Sequence, residues 1–121
     1  MDAIVRERMR FPRRYHSMCT MGSDFIIVSG SDVKTTKGAA QSVEAYNIRD
    51  DRWEMLPDLN FGRDTHGSCS FNDHILYVFC GNRYPDELCF NLIERYDTRT
   101  GEPWKVIDPG DSLPIRGDCG V

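Results

Sequence analysis

No apolar run in this sequence exceeds six residues. The longest, Ile75 to Cys80, is far short of the ~20 that a membrane-crossing helix needs. Charges interrupt the first ten residues before the apolar centre of a secretory signal could form. No Asn-x-Ser/Thr acceptor occurs. Positive charge is also scarce: 15 Lys and Arg stand against 19 Asp and Glu, a formal net charge of −4. A mildly acidic chain lacks the basic footprint of a nucleic-acid binder and has no pull toward an anionic membrane. An even set of closely spaced cysteines is missing too. The five present (Cys19, Cys69, Cys80, Cys89, Cys119) lie mostly inside apolar runs. They are expected to be reduced, small buried hydrophobes of an intracellular, cytoplasmic protein. Hydrolase elbows, phosphate loops and His-Glu-x-x-His zinc motifs do not occur.

What is there is a globular composition, 40% hydrophobic and 28% charged, over 121 residues, enough for one ordinary domain. It is organised as an internal repeat, which decides the fold before any local propensity does. Arg13, His16 and Cys19 return fifty positions later as Arg63, His66 and Cys69. Val43-Glu44-Ala45-Tyr46-Asn47 returns at the same offset as Ile93-Glu94-Arg95-Tyr96-Asp97. Phe25-Ile26-Ile27-Val28-Ser29-Gly30 aligns with Leu76-Tyr77-Val78-Phe79-Cys80-Gly81 at an offset of 51, as does Trp53 with Trp104.

Each unit holds four strand-like stretches. The first follows the Arg-x-x-His, over 16–21 and 66–71. The second is the apolar run ending in Gly, the third contains Glu-x-Tyr, and the fourth surrounds Trp. The second is apolar on both faces, as a central strand is. Turn signals separate the strands: Gly22-Ser23-Asp24, Asn72-Asp73, Arg49-Asp50-Asp51 and Thr98-Arg99-Thr100-Gly101. Only the first ten residues carry a weak helical period, through Ile4, Val5 and Met9.

These residues resemble two kelch repeats. The elements that carry the resemblance are Pro12-Arg13-Arg14-Tyr15-His16, the strand ending in Gly30 or Gly81, Val43-Glu44-Ala45-Tyr46-Asn47 with its second copy, and Trp53 and Trp104. The resemblance implies an all-β fold: two four-stranded antiparallel blades, part of a β-propeller. Its divisions are a lead-in (1–11), repeat 1 (12–60), repeat 2 (61–107) and the start of a third unit (108–121). In that third unit Arg116 aligns with Arg63 and puts Cys119 in the place of His66, or Cys119 aligns with Cys69. Both registers stay open. The family's Gly-Gly pair reads here as Ser29-Gly30 and Cys80-Gly81.

The resemblance makes Arg13, His16, Gly30, Glu44, Tyr46, Trp53 and their partners Arg63, His66, Gly81, Glu94, Tyr96 and Trp104 structural. An Arg–carboxylate fork would fix strand register, and the aromatics would pack within and between blades. His16-x-x-Cys19 and His66-x-x-Cys69 imitate half a zinc site, but residues three apart on a strand point to opposite faces. No metal and no cofactor are expected. Ser17 and Ser68 lack any elbow or oxyanion-hole context. Asp50, Asp51, Asp108 and Asp111 read as turn formers.

Two blades have four faces, and one shared interface leaves two open. A lone pair would be marginal and sticky, since burying each large apolar side chain is worth about 1.5–3 kcal/mol. The outer faces therefore call for the remaining blades of a propeller, in cis or in trans. Function falls to the loops between the second and third strands, which differ in length and charge between the units. Asp32, Lys34 and Lys37 in one, and Arg83, Tyr84, Asp86 and Glu87 in the other, are the candidate residues for a protein partner. The resemblance implies a non-enzymatic interaction module, such as the substrate adaptor of a cullin-type ubiquitin ligase, or else an actin-associated scaffold. Its enzymatic relatives would need histidine and tyrosine ligands gathered at the channel.

Overall fold

A computed structural model of the chain describes residues 8–31, 39–83, 88–89 and 92–107, without the side chains of residues 83, 88 and 89. The first unit forms β1 (Ser17–Met21), β2 (Phe25–Ser29), β3 (Val43–Asn47) and β4 (Arg52–Leu56), with one 3-10 turn, Ala39–Gln41, ahead of β3. The connection carries β5 (Arg63–Asp64). The second unit forms β6 (Gly67–Phe71), β7 (Ile75–Phe79), β8 (Asn82–Arg83), β9 (Leu88–Cys89), β10 (Ile93–Asp97) and β11 (Lys105–Ile107). No α-helix occurs among the described residues.

Two four-stranded antiparallel sheets result, ordered β1-β2-β3-β4 and β6-β7-β10-β11. In each, the most apolar strand lies inside the sheet, where both its edges are paired. The β6–β7 turn needs two left-handed residues, Asn72 (φ 53°) and Asp73 (φ 63°), types that tolerate that conformation.

Alternation along the strands decides how the sheets stack. Met21, Ile27, Val43 and Ala45 of the first sheet, with Cys19, Phe25 and Leu56 beside them, share one core with Leu76, Val78, Tyr96 and Trp104 of the second. The first sheet contributes odd-numbered positions of its first three strands, and the second contributes even-numbered positions. Unlike faces therefore meet, a head-to-tail contact. Leu59 of the connection, 1% exposed, fills the core between them. The inner strands β1 and β6 lie side by side, with the Ser17 and Ser68 hydroxyls 2.6 Å apart and Ser70 Oγ donating to the Thr20 carbonyl at 2.7 Å.

The repeat is more regular than the sequence suggests. β2 and β7 are offset by 50 at both ends, not 51. Gly30 is thus the counterpart of Cys80, not of Gly81. Both are left-handed, at φ 72° and 62°. The carbonyl of each receives a guanidinium from the same place in its unit: Arg13 Nη1 donates to Gly30 at 2.9 Å, and Arg63 Nη1 to Cys80 at 3.1 Å. Gly81 matches Ser31, so each unit keeps a different member of the glycine pair. The real one-residue insertion lies in the β10–β11 turn of the second unit, because Tyr46 pairs with Trp53 while Tyr96 stacks on Trp104. A second correction concerns cysteine. Cys19 and Cys69 are free thiols as expected, but Cys80 is disulfide-bonded, to a partner outside the described side chains.

Candidate functional site

Each unit is pinned by a buried ion pair. Arg63 Nη2 meets Glu94 Oε2 at 2.6 Å with both side chains 0% exposed, and Arg13 Nη2 meets Glu44 Oε2 at 2.7 Å. Glu94 also accepts the backbone N–H groups of Asn60 (2.6 Å) and Phe61 (3.4 Å), and Glu44 accepts those of Arg10 (2.6 Å) and Phe11 (3.3 Å). Each carboxylate thus ties down the segment that leads into its own sheet. Burial pushes both arginine pKa values down, and the glutamates push back. The chemistry this supports is structural: removing either partner would strand a buried charge.

The segment 63–66 is wedged between two glycines. A Cβ on Gly30 would lie 2.3 Å from the Arg63 carbonyl oxygen and 2.5 Å from His66 Cε1. A Cβ on Gly81 would lie 2.5 Å from the Asp64 carbonyl oxygen. His66 Nε2 is 2.9 Å from Ser29 Oγ of the preceding sheet, and its Nδ1 has no partner among the described residues. Burial first, then the charge of Arg63 and the neighbouring His16 and Arg13, holds the His66 pKa at about 3. The ring is neutral, which suits a structural wedge. Burial and Arg13 also lower the pKa of His16.

An exposed rim lies at the end of the sheets where these segments turn. Tyr15 is 60% exposed and left-handed (φ 59°), and Thr65, its counterpart, is left-handed too (φ 52°). A β-branched residue in that conformation is a true outlier, worth about 1–3 kcal/mol of strain. The two are linked, since the Thr65 N–H donates to the Tyr15 carbonyl at 2.7 Å. The Arg14 guanidinium lies 5.5 Å from the Tyr15 ring centroid, and the Arg14 backbone N–H donates to Ser31 Oγ at 3.1 Å. In the second unit Asp64 Oδ1 accepts from Thr65 Oγ1 (3.0 Å) and Asn82 Nδ2 (3.2 Å). There the small sheet β5-β8-β9 carries the second loop. Tyr15, Thr65, Ser31 and Asn82 therefore share one rim.

Of the residues proposed from sequence to meet a partner, Asp32, Lys34, Lys37, Tyr84, Asp86 and Glu87 lie outside the described residues. The backbone of Arg83 pairs with Arg63 and Leu88, which ties that loop to the rim. Sequence reasoning missed Tyr15 and Thr65. A signal existed: the two middle positions of Arg-x-x-His differ between the units, Arg14-Tyr15 against Asp64-Thr65, while their flanks agree. Among the described residues no group of three His, Cys, Asp or Glu could hold a metal ion. The hydroxyls of Ser17 and Ser68 bond to each other, with no base engaged in that bond.

The comparisons with known proteins agree with this architecture. Residues 12–60 match the kelch motif. The chain is 31% identical over 114 residues to the F-box/kelch-repeat protein SKIP20 of Arabidopsis thaliana, a match covering 90% of this chain and 27% of that protein. The chain thus spans about a quarter of that relative's length. Residues 12–60 thus form a kelch motif, and its pinned, four-stranded geometry is reproduced fifty residues on.

Proposed function

We propose that the chain is a protein-binding, non-enzymatic part of a kelch propeller, and that its rim engages the partner. The observation that carries this is the strained, solvent-exposed Tyr15 beside Arg14, held from the neighbouring unit by the Thr65 N–H. Rigid sheets hold the rim in place, so little ordering entropy is lost on binding. Tyrosine and arginine are the side chains that dominate interface energetics. The likeness to an F-box/kelch-repeat protein supports the finer reading of a substrate-recognition part in a ubiquitin ligase. On that reading a separate module contacts the ligase and the blades choose the substrate.

The test is affinity capture with tagged wild type, Tyr15→Ala and Arg83→Ala/Tyr84→Ala, each first shown to melt like wild type. The proposal expects both variants to lose the wild-type partner. Retention of that partner by both would overturn it.

A further inference from the structure

One corner of the rim holds a fixed carboxylate with half of its hydrogen-bonding capacity unused. β5 and β8 set Asp64 opposite Asn82 in register. Gly81 packs so close that a Cβ there would lie 2.5 Å from the Asp64 carbonyl oxygen, which leaves the Asp64 backbone little room to move. The side chain is held as well. Thr65 Oγ1 donates to Asp64 Oδ1 at 3.0 Å, and Asn82 Nδ2 donates to the same oxygen at 3.2 Å. The other oxygen, Oδ2, receives no hydrogen bond or ion pair among the described residues. Thr65 has used its only hydroxyl hydrogen, so its oxygen too can only accept. Asp64 is half-buried, and an unpaired charge there costs more than in open water.

Two further observations mark this corner as a place of contact. Thr65 keeps φ at 52°, where asparagine or glycine would be less strained. Strain of that kind clusters at ligand clamps. Arg14 and Asp64 also hold the same position in the two units, fifty residues apart, with opposite charge. A basic group is therefore repelled at the first place and drawn to the second.

We infer that Asp64 and Thr65, steadied by Asn82, bind a lysine or arginine side chain of the protein partner. This rests on the rim reading above and adds the chemistry that the second unit selects. An ammonium or a guanidinium carries donors alone. It supplies one N–H to Asp64 Oδ2 and another to Thr65 Oγ1, a charge-assisted pair that fixes the partner's register along the rim. The chain's net charge of −4 favours the approach of a basic segment.

A displayed random-peptide library selected against the full chain tests this, with each variant first shown to melt like wild type. Peptides that lose affinity for Tyr15→Ala report the rim. In these, replacing one Lys or Arg by Ala should weaken binding to wild type about tenfold or more, as for a hydrogen bond between charged groups. The same replacement should leave binding to Asp64→Asn unchanged. Asp64→Asn keeps an Oδ1 to accept from Thr65 and Asn82 but sets an amide NH2 where Oδ2 was, so the fold is retained while an acceptor becomes a donor. A selection in which no peptide shows this coupling between a basic residue and Asp64 overturns the inference; if its peptides still need Tyr15, the rim reading stands. Coupling to Asp64 in peptides indifferent to Tyr15→Ala would support the cation site and overturn the role given to Tyr15.

Discussion

Gly30 and Gly81 press on the 63–66 segment from opposite sides, and neither site has room for a methyl group. Gly101 is a useful contrast, being equally left-handed (φ 73°) with nothing within 4 Å of its Cβ position. Gly101→Ala should therefore cost only the left-handed penalty, about 1–2 kcal/mol. Gly30→Ala adds a collision with the Arg63 backbone and should cost at least twice as much, read from urea denaturation midpoints. His66 gives the same junction a pH dependence. Its folded pKa of about 3 lies below its ordinary 6.5, so between those values the unfolded chain binds more protons. The stability is complete above pH 6.5 and is lost progressively as pH falls toward 3. His66→Gln should flatten the pH profile of the unfolding free energy between pH 6.5 and 4. An unchanged slope would refute the buried neutral ring.

At the scale of strands and connections, the two tryptophans separate intrinsic from junctional stability. Trp104 is 4% exposed, stacks on Tyr96 at 5.3 Å and donates to the Pro57 carbonyl at 2.8 Å, across to the connection from the first sheet. Trp53 packs on Tyr46 at 5.0 Å but sits half-buried on an outer face. Trp104→Ala should lose about 3–5 kcal/mol, and Trp53→Ala clearly less, in the same denaturation measurement.

These elements were legible in the sequence because a repeat reports the same physics twice. Arg13 with Glu44 and Arg63 with Glu94 mark the pinned segments, and Trp53 and Trp104 mark the outer strands. The glycine alignment was misread because letter identity favoured Gly81, whereas the left-handed position after the strand admits Cys80. The short sheet β5-β8-β9 left no trace, since two-residue strands have no period. Tyr15 and Thr65 were missed because strain belongs to φ, not to residue type. The Cys80 disulfide was missed because five scattered cysteines carry no spacing pattern.

The described residues form a stack built by one rule: the face of one sheet bearing the buried Glu meets the opposite face of the sheet before it. The rule is used once between β1–β4 and the second sheet, and each end of the stack shows its unused half. Met18 (60%) and Met55 (43%) are exposed in the first sheet and Phe71 (56%) in the second. A depression on the first sheet's outer side is lined by Arg8, Arg10, Glu44, Trp53, Glu54 and Met55. Partner binding through the rim depends on this stacking, because Tyr15 and Thr65 come from different units and meet only when the sheets do. The most direct test is a nuclear Overhauser spectrum of the folded chain. The account predicts cross-peaks between Ser17 and Ser68 and between Thr20 and Ser70, pairs about fifty residues apart in sequence. Absence of both, with sequential helical amide contacts around Glu44 or Trp104 instead, would contradict it.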